Sequence, residues 1–280
     1  MTTLPTLYLS HGSPMTALEP GAAGAFLQRL GPAIDATFGR PKAVLAVSAH
    51  TLTRAPVLLA ADRHEAVYDF HGFPDALYRL RYDAPGAPAL AERVQGLLAA
   101  AGIASHRIDE GGLDHGIWTP LRYAWPAADV PVLPLGFVPS WTPAQLLAFG
   151  QALAPLADEG VLVVGTGSLT HNLRLLSGPA GRPPPDTPEI AESAAFRAWV
   201  ADRAAAADWP ALLDYRRQAP HAALMHPTDE HWLPWYPAAG AAGPGAAGVR
   251  LHGSVTYGCL AMDAYGFGES ALALAEALAA

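Results

Sequence analysis

The chain has 280 residues, 51% of them hydrophobic and 15% charged, with a formal net charge of −8. That supplies a sizeable core, and the length fits one large domain over residues 1–280. Mild acidity without a basic stripe argues against nucleic acid, no apolar run reaches a membrane span, and the single cysteine, Cys259, excludes an internal disulfide framework. No basic segment leads into an apolar run after Met1, so no signal peptide is expected and the expected location is cytoplasmic.

In chain order, Thr6–Leu9 is strand-like, and a Gly/Pro-rich loop separates it from helical spacing over Ala22–Phe38 that stops at Gly39. Ala43–Ala49 is an almost unbroken apolar run of buried-strand length, and Pro56–Leu59 reads as another strand. Tyr68–Pro74 is aromatic and turn-rich, an ordered loop. A helix is predicted over Pro88–Ala101, a short strand over Ile103–Ile108, and a helix from near Thr119 after the loop Asp109–Gly116. Val130–Leu135 reads as strand, Pro143–Leu156 as a helix capped by Thr142, and Val161–Val164 as a strand closed by a tight turn at Gly165–Ser168. Five prolines mark Gly178–Pro188 as a surface loop. Helical patterns follow over Pro188–Ala206 and Pro210–Tyr215, and a further helix is expected to start at Thr228. Gly240–Gly248 reads as a flexible loop, Val249–Tyr257 as a strand, and a helix from Glu269 closes the chain. Strands alternating with helices predict an α/β fold, a layered mixed or parallel sheet with helices on both faces.

Eleven histidines carry the functional signal. Leu7–Leu9 runs into Ser10-His11, and Val44–Val47 runs into Ser48-Ala49-His50. Polar residues that stop buried strands lie at the sheet's carboxyl edge, where open α/β sheets bind ligands, so the pair looks like half a metal site. For either histidine alone, local hydrogen bonding in a turn is the competing explanation. His231 falls in His226–Pro234, in the first turn of a helix capped by Thr228, and Glu230 beside it is a rival ligand because two histidines and a carboxylate form the common iron(II) triad. His221 and His226 read as capping or packing residues. His171 follows the Val161–Val164 strand to the same edge, and His115 lies in Leu113-Asp114-His115-Gly116; either suits proton transfer. His64, His106 and His252 read as surface or satisfied structural residues, and His71 stays open because of its aromatic neighbours.

Other signatures are weak. Gly165-Thr166-Gly167-Ser168 lacks the third glycine and the distal acid of a dinucleotide fingerprint. Neither a Gly-x-Ser-x-Gly elbow nor a phosphate-binding loop of the Walker type occurs, which argues against a serine hydrolase or a P-loop enzyme. Cys259, after Gly258 in an apolar stretch, reads as a core residue.

Six segments together resemble the class III extradiol ring-cleaving dioxygenases, most closely their DOPA 4,5-dioxygenase branch. They are Ser10–Met15, Ser48–His50, Tyr68–Pro74, Leu113–Trp118, Thr170–Leu173 and His226–Pro234, and the similarity runs from residue 7 to about 267. The resemblance implies that His11, His50 and His231 hold a non-haem metal, with iron(II) as the working ion and zinc(II) as a form often isolated. It implies that His171 acts as the base or as a fourth ligand, and that His115 stands near substrate and oxygen. In this branch a histidine replaces the glutamate ligand of the protocatechuate-cleaving relatives, which is why Glu230 stays in view.

The chemistry fits the residues. Three neutral imidazoles leave an ion its full charge, which acidifies the hydroxyls of a chelated catechol, and open positions admit dioxygen. The expected reaction opens the ring of a catechol resembling DOPA or caffeate beside the diol, with O2, to a muconic semialdehyde. Tyr68, Phe70, His71 and Phe73 are the candidate pocket residues, with Trp118 and Tyr257 as further aromatic candidates. The expected partners are the catechol and O2, with neither nucleic acid nor membrane. A zinc-dependent amide or ester hydrolase and a non-enzymatic metal-binding protein are the competing functions; the first predicts turnover without oxygen and the second predicts none.

Overall fold

The computed structural model describes residues 3–177 and 181–280. Its centre is an eight-stranded sheet formed by β1 (Thr6–Ser10), β2 (Ala43–Ser48), β3 (Val57–Leu59), β4 (His106–Ile108), β5 (Val132–Gly136), β6 (Val161–Gly167), β7 (Gly248–His252) and β8 (Ala264–Phe267). Across the sheet the order is β4-β3-β5-β2-β6-β1-β8-β7. The middle block β5-β2-β6-β1 is parallel, while β3 joins β5, and β8 joins β1 and β7, in antiparallel fashion.

The apolar runs alternate between two cores because successive strand side chains point to opposite faces. Leu45 and Val47 of β2, with Val161 and Val163 of β6, meet α2 (Pro88–Ala100), α4 (Pro143–Gln151), α5 (Ala191–Ala205) and α6 (Trp235–Gly240) through Val94, Phe149, Phe196 and Trp235. Val44, Ala46, Leu162 and Val164 meet α1 (Gly21–Phe38), α3 (His115–Ala124) and α7 (Ser270–Ala279) through Leu30, Trp118 and Leu274. Strands buried on both faces read as continuous hydrophobic runs, which is why they stand out in the sequence.

Several expectations need correction. The helix expected near Thr119 begins at His115; Pro120 sits inside it rather than at its first position. The Pro143–Leu156 segment is helical only to Gln151, with a separate turn of helix at Pro155–Asp158, because Pro155 has no N–H to continue the ladder. Thr142 does cap α4, in a reciprocal box with Gln145. Gly165-Thr166-Gly167 is not a turn but the end of β6. Nothing helical starts at Thr228; residues 227–234 form bends and turns, and the helix begins at Trp235.

The predicted Val249–Tyr257 strand ends at His252, Val255–Thr256 pairs instead with Leu260–Ala261, and the short β8 had no separate signal. The Ile103–Ile108 strand keeps only its last three residues. Of the proline-rich loop, residues 178–180 lie outside the described residues, and residues 182–188 show bends and turns without helix or strand. His64 is fully buried, with Nδ1 facing the Gly111 carbonyl, so it is a structural core residue rather than a surface one. No helix among the described residues is long and apolar enough to cross a membrane.

Candidate metal centre

The three neighbouring strands β2, β6 and β1 deliver His50, His171 and His11 just beyond their carboxyl ends. Register does much of the placing. Ser10 pairs with Gly167 and Ser48 with Thr166, and the His11 N–H then donates to the Gly167 carbonyl at 2.9 Å. His115 arrives from the first turn of α3, and His231 from the 227–234 turns, which lie directly on β6.

That last approach explains the glycines of β6. A Cβ at Gly165 would lie 2.1 Å from the Pro234 carbonyl oxygen, and one at Gly167 2.0 Å from that of His231. Only glycine lets two backbones approach so closely. The His231 carbonyl is then fixed by two donors, the Tyr8 hydroxyl at 2.8 Å and the Ser168 N–H at 3.1 Å.

His11, His50 and His231 bring ligand-capable atoms within 4.8 Å of one another. Nδ1 of His11 hydrogen-bonds with Thr166 Oγ1 at 2.9 Å and Nδ1 of His231 with Glu230 Oε1 at 3.2 Å, while Nδ1 of His50 faces Asp69 Oδ2 at 3.4 Å, a longer charge contact. An acceptor at Nδ1 places the proton there and leaves Nε2 as a bare lone pair. The Thr166 hydroxyl can only accept from His11, because its own proton goes to the Gly116 carbonyl at 2.7 Å. That carbonyl is free because Pro120, four residues on in α3, lacks the N–H that would have taken it. The out-of-place helix proline thus helps to set the tautomer of His11.

The Nε2 atoms of His11 and His50 face one another at 3.1 Å, and with Nδ1 of each ring carrying its proton both would turn a lone pair to the space between them. Two imidazole nitrogens on one ion, each about 2.1 Å away, stand roughly 3.0–3.4 Å apart. The donor set and spacing therefore fit a divalent transition metal such as iron(II) or zinc(II). Burial, together with the neighbouring imidazoles, holds His11 well below the usual histidine range and takes His50 down to about 3. Burial does the same to His231, against the pull of Glu230. The rings are therefore neutral donors at pH 7 without having to shed a proton first.

Glu230 keeps its charge, its carboxyl held low chiefly by the His231 hydrogen bond. Its contact with Nδ1 makes it an orienting partner for His231 rather than a member of the His11–His50–His231 group. A second donor group, His171, Glu230 and His231, and a third, His50, Asp69 and His115, share residues with the first. His171 stacks on His231 with centroids 3.5 Å apart, and burial lowers its pKa. His115 lies 4.1 Å from His50 and 5.2 Å from His11 between ring centroids.

Phe70 meets His115 edge-on at 5.6 Å and continues through Phe73 at 5.4 Å as an aromatic wall. Tyr68 touches Phe70 at 6.2 Å and is tied by its hydroxyl to the Leu80 carbonyl at 2.5 Å. Trp118 backs this wall from the core, fully buried. His71 is exposed and makes no ring contact with the others among the described residues. Arg182 lies over the Phe73 and Tyr257 rings, 5.9 and 5.5 Å from their centroids, with no ion pair among the described residues. Cys259 is buried beside Leu260 and Met262, as its apolar setting suggested.

Asp69, Thr166 and Tyr8 were not singled out from the sequence. Their signals were present: an acid between two aromatics, a Gly-Thr-Gly strand end and a tyrosine inside a buried strand.

Residues 5–268 match the family described as the catalytic LigB subunit of aromatic ring-opening dioxygenase. A relative from Beta vulgaris, 4,5-DOPA dioxygenase extradiol, is 38% identical over 265 residues, covering 94% of this chain and 96% of its own. One of the same name from Portulaca grandiflora is 36% identical over 270 residues, with 94% and 95% covered. The crystal structure of an uncharacterized protein from Escherichia coli K12 superposes with a TM-score of 0.76 at 30% identity, over 95% of this chain and 100% of that one.

Proposed function

The chain belongs to the family of the catalytic LigB subunit of aromatic ring-opening dioxygenases, and from that membership we propose that it opens a catechol ring beside the diol at a metal held by His11, His50 and His231. Both atoms of O2 enter the product, a muconic semialdehyde. The observation that carries this reading is the convergence of three imidazoles, their ligand-capable atoms within 4.8 Å of one another and the His11 and His50 Nε2 atoms 3.1 Å apart. Iron(II) is the proposed ion. When bound it supplies open positions for the substrate oxygens and O2, and charge that acidifies the hydroxyls.

The chain's own residues do the rest. His171, neutral and stacked on His231, takes a hydroxyl proton from the incoming catechol. His115, its Nδ1 engaged by Asp69, turns Nε2 toward the reacting groups and holds or returns a proton there. Phe70 and Phe73 flank the ring and exclude water from one side. Arg182, at the outer end of this wall, receives the carboxylate of a substrate with a charged side chain, such as L-DOPA or caffeate. Arg182→Gln is expected to raise KM for caffeate about tenfold while leaving KM for unsubstituted catechol within about twofold, the former being some 1.4 kcal/mol of binding. Equal effects on both substrates in steady-state assays would remove Arg182 from this role.

The test of the function is anaerobic loading with iron(II), then air-saturated buffer and a catechol panel including L-DOPA and caffeic acid. One O2 consumed per ring opened, with a yellow product and only in the iron form, is the expected result. Oxygen-independent turnover of an amide or ester by the zinc form would replace it with the hydrolase reading.

A further inference from the structure

Asp69 stands at the meeting point of three elements that the metal centre needs. Its carboxylate accepts from the His115 backbone N–H at 2.9 Å and from His115 Nδ1 at 3.0 Å, and its Oδ2 lies 3.4 Å from His50 Nδ1. The first contact caps α3 from another part of the chain. Asp114, at the N-cap position itself, makes no cap hydrogen bond, because its carboxylate accepts the Ser48 and Thr51 hydroxyls instead, at 2.7 and 2.6 Å. A carboxylate at a helix N-terminus is also favoured by the helix dipole. Asp69 lies between Tyr68 and Phe70 of the aromatic wall, so one side chain ties the pocket loop, the α3 start and two imidazoles together.

We propose that Asp69 is the positioning residue of the centre, its single carboxylate fixing the tautomer and ring orientation of both His50 and His115. This rests on the assignment of His50 to the metal. A carboxylate can accept from all three donors at once; the isosteric amide cannot, since its NH2 group would face an Nδ1–H and force one ring to turn or change tautomer. An acceptor behind a metal-ligating histidine commonly governs metal affinity by 10–100-fold.

The experiment uses the whole chain loaded with cobalt(II), whose visible spectrum reports ligand geometry. Asp69→Asn is expected to raise the cobalt dissociation constant by roughly 10–100-fold in chelator competition, to change the visible bands, and to lower kcat more than it raises KM for the iron form. Asp69→Glu, which restores the carboxylate, is expected to recover part of the affinity. A loss of melting temperature with unchanged cobalt affinity and spectrum would show a purely structural cap and overturn the proposal. Wild-type protein that binds no cobalt would overturn the metal assignment itself, a separate outcome. If the asparagine variant does not fold, imidazole ¹⁵N shifts of the zinc-loaded wild type decide: protons on Nδ1 of both His50 and His115 are expected, and an Nε2–H form of either would overturn the proposal.

Discussion

His11→Ala is expected to abolish ring opening, lowering kcat/KM by at least about 10³-fold, the factor that roughly 4 kcal/mol of lost stabilisation represents. His11 is central in the geometry. Its Nε2 faces that of His50 at 3.1 Å, its ring neighbours both His115 and His231, and its Nδ1 is held by Thr166. The accompanying loss is bound metal, measured as ions per chain after anaerobic loading and gel filtration. His50→Ala is expected to behave alike. His71→Ala, on an exposed loop position, is the control and should leave both quantities within about twofold, since surface changes rarely cost more than about 0.5 kcal/mol. Full metal content with lost activity in His11→Ala would show that the residue is not a ligand.

Gly167→Ala is expected to be nearly as damaging, although it changes no chemical group. The added methyl would sit 2.0 Å from the His231 carbonyl oxygen and 3.1 Å from the Tyr8 hydroxyl. A backbone oxygen cannot swing away as a side chain can, so the turn carrying His231 must lift off β6. Lifting it also breaks the hydrogen bonds from Tyr8 and Ser168 that pin that carbonyl. Overpacking of this kind costs about 3 kcal/mol, to be read in denaturant unfolding. A shift of about 1 Å in a catalytic group costs roughly 10²-fold in rate, to be read in turnover of the folded fraction. Wild-type stability and turnover in Gly167→Ala would mean that the 227–234 turns do not bear on β6 as described.

These two variants mark what the sequence makes legible and what it hides. His11 could be read because β1 is buried on both faces, so an apolar run that stops at Ser10-His11 locates the sheet edge without knowledge of the neighbours. The same holds for His50 after β2. His231 is named by the resemblance, with Glu230 as its rival, but on a helix capped by Thr228 that does not exist there. Its position is set by contact with β6, and contacts between segments more than sixty residues apart leave no periodicity to read. The glycines at 165 and 167 are a local sign of that contact, although at the end of an apolar run they read equally as a turn; within a strand, glycine marks close backbone approach.

The helix expected near Thr119 starts four residues earlier, at His115, with Pro120 inside it. The proline's place inside the helix makes sense only once Thr166, 50 residues from Gly116, is seen to use the carbonyl that Pro120 leaves free. The orienting partners Asp69, Thr166 and Glu230 share this property. Each is an ordinary polar residue whose importance lies in which histidine nitrogen it faces, and that is a fact of three dimensions.

The central claim is that His11, His50 and His231 present bare Nε2 atoms to one ion. Anomalous diffraction at the metal edge, from crystals of iron- or zinc-loaded protein, tests it most directly. The account predicts a single strong peak about 2.0–2.2 Å from Nε2 of all three, with Asp69 and Glu230 on the far sides of the rings. A peak bound instead by His50, Asp69 and His115, or by His171, Glu230 and His231, would contradict it and turn an orienting carboxylate into a ligand.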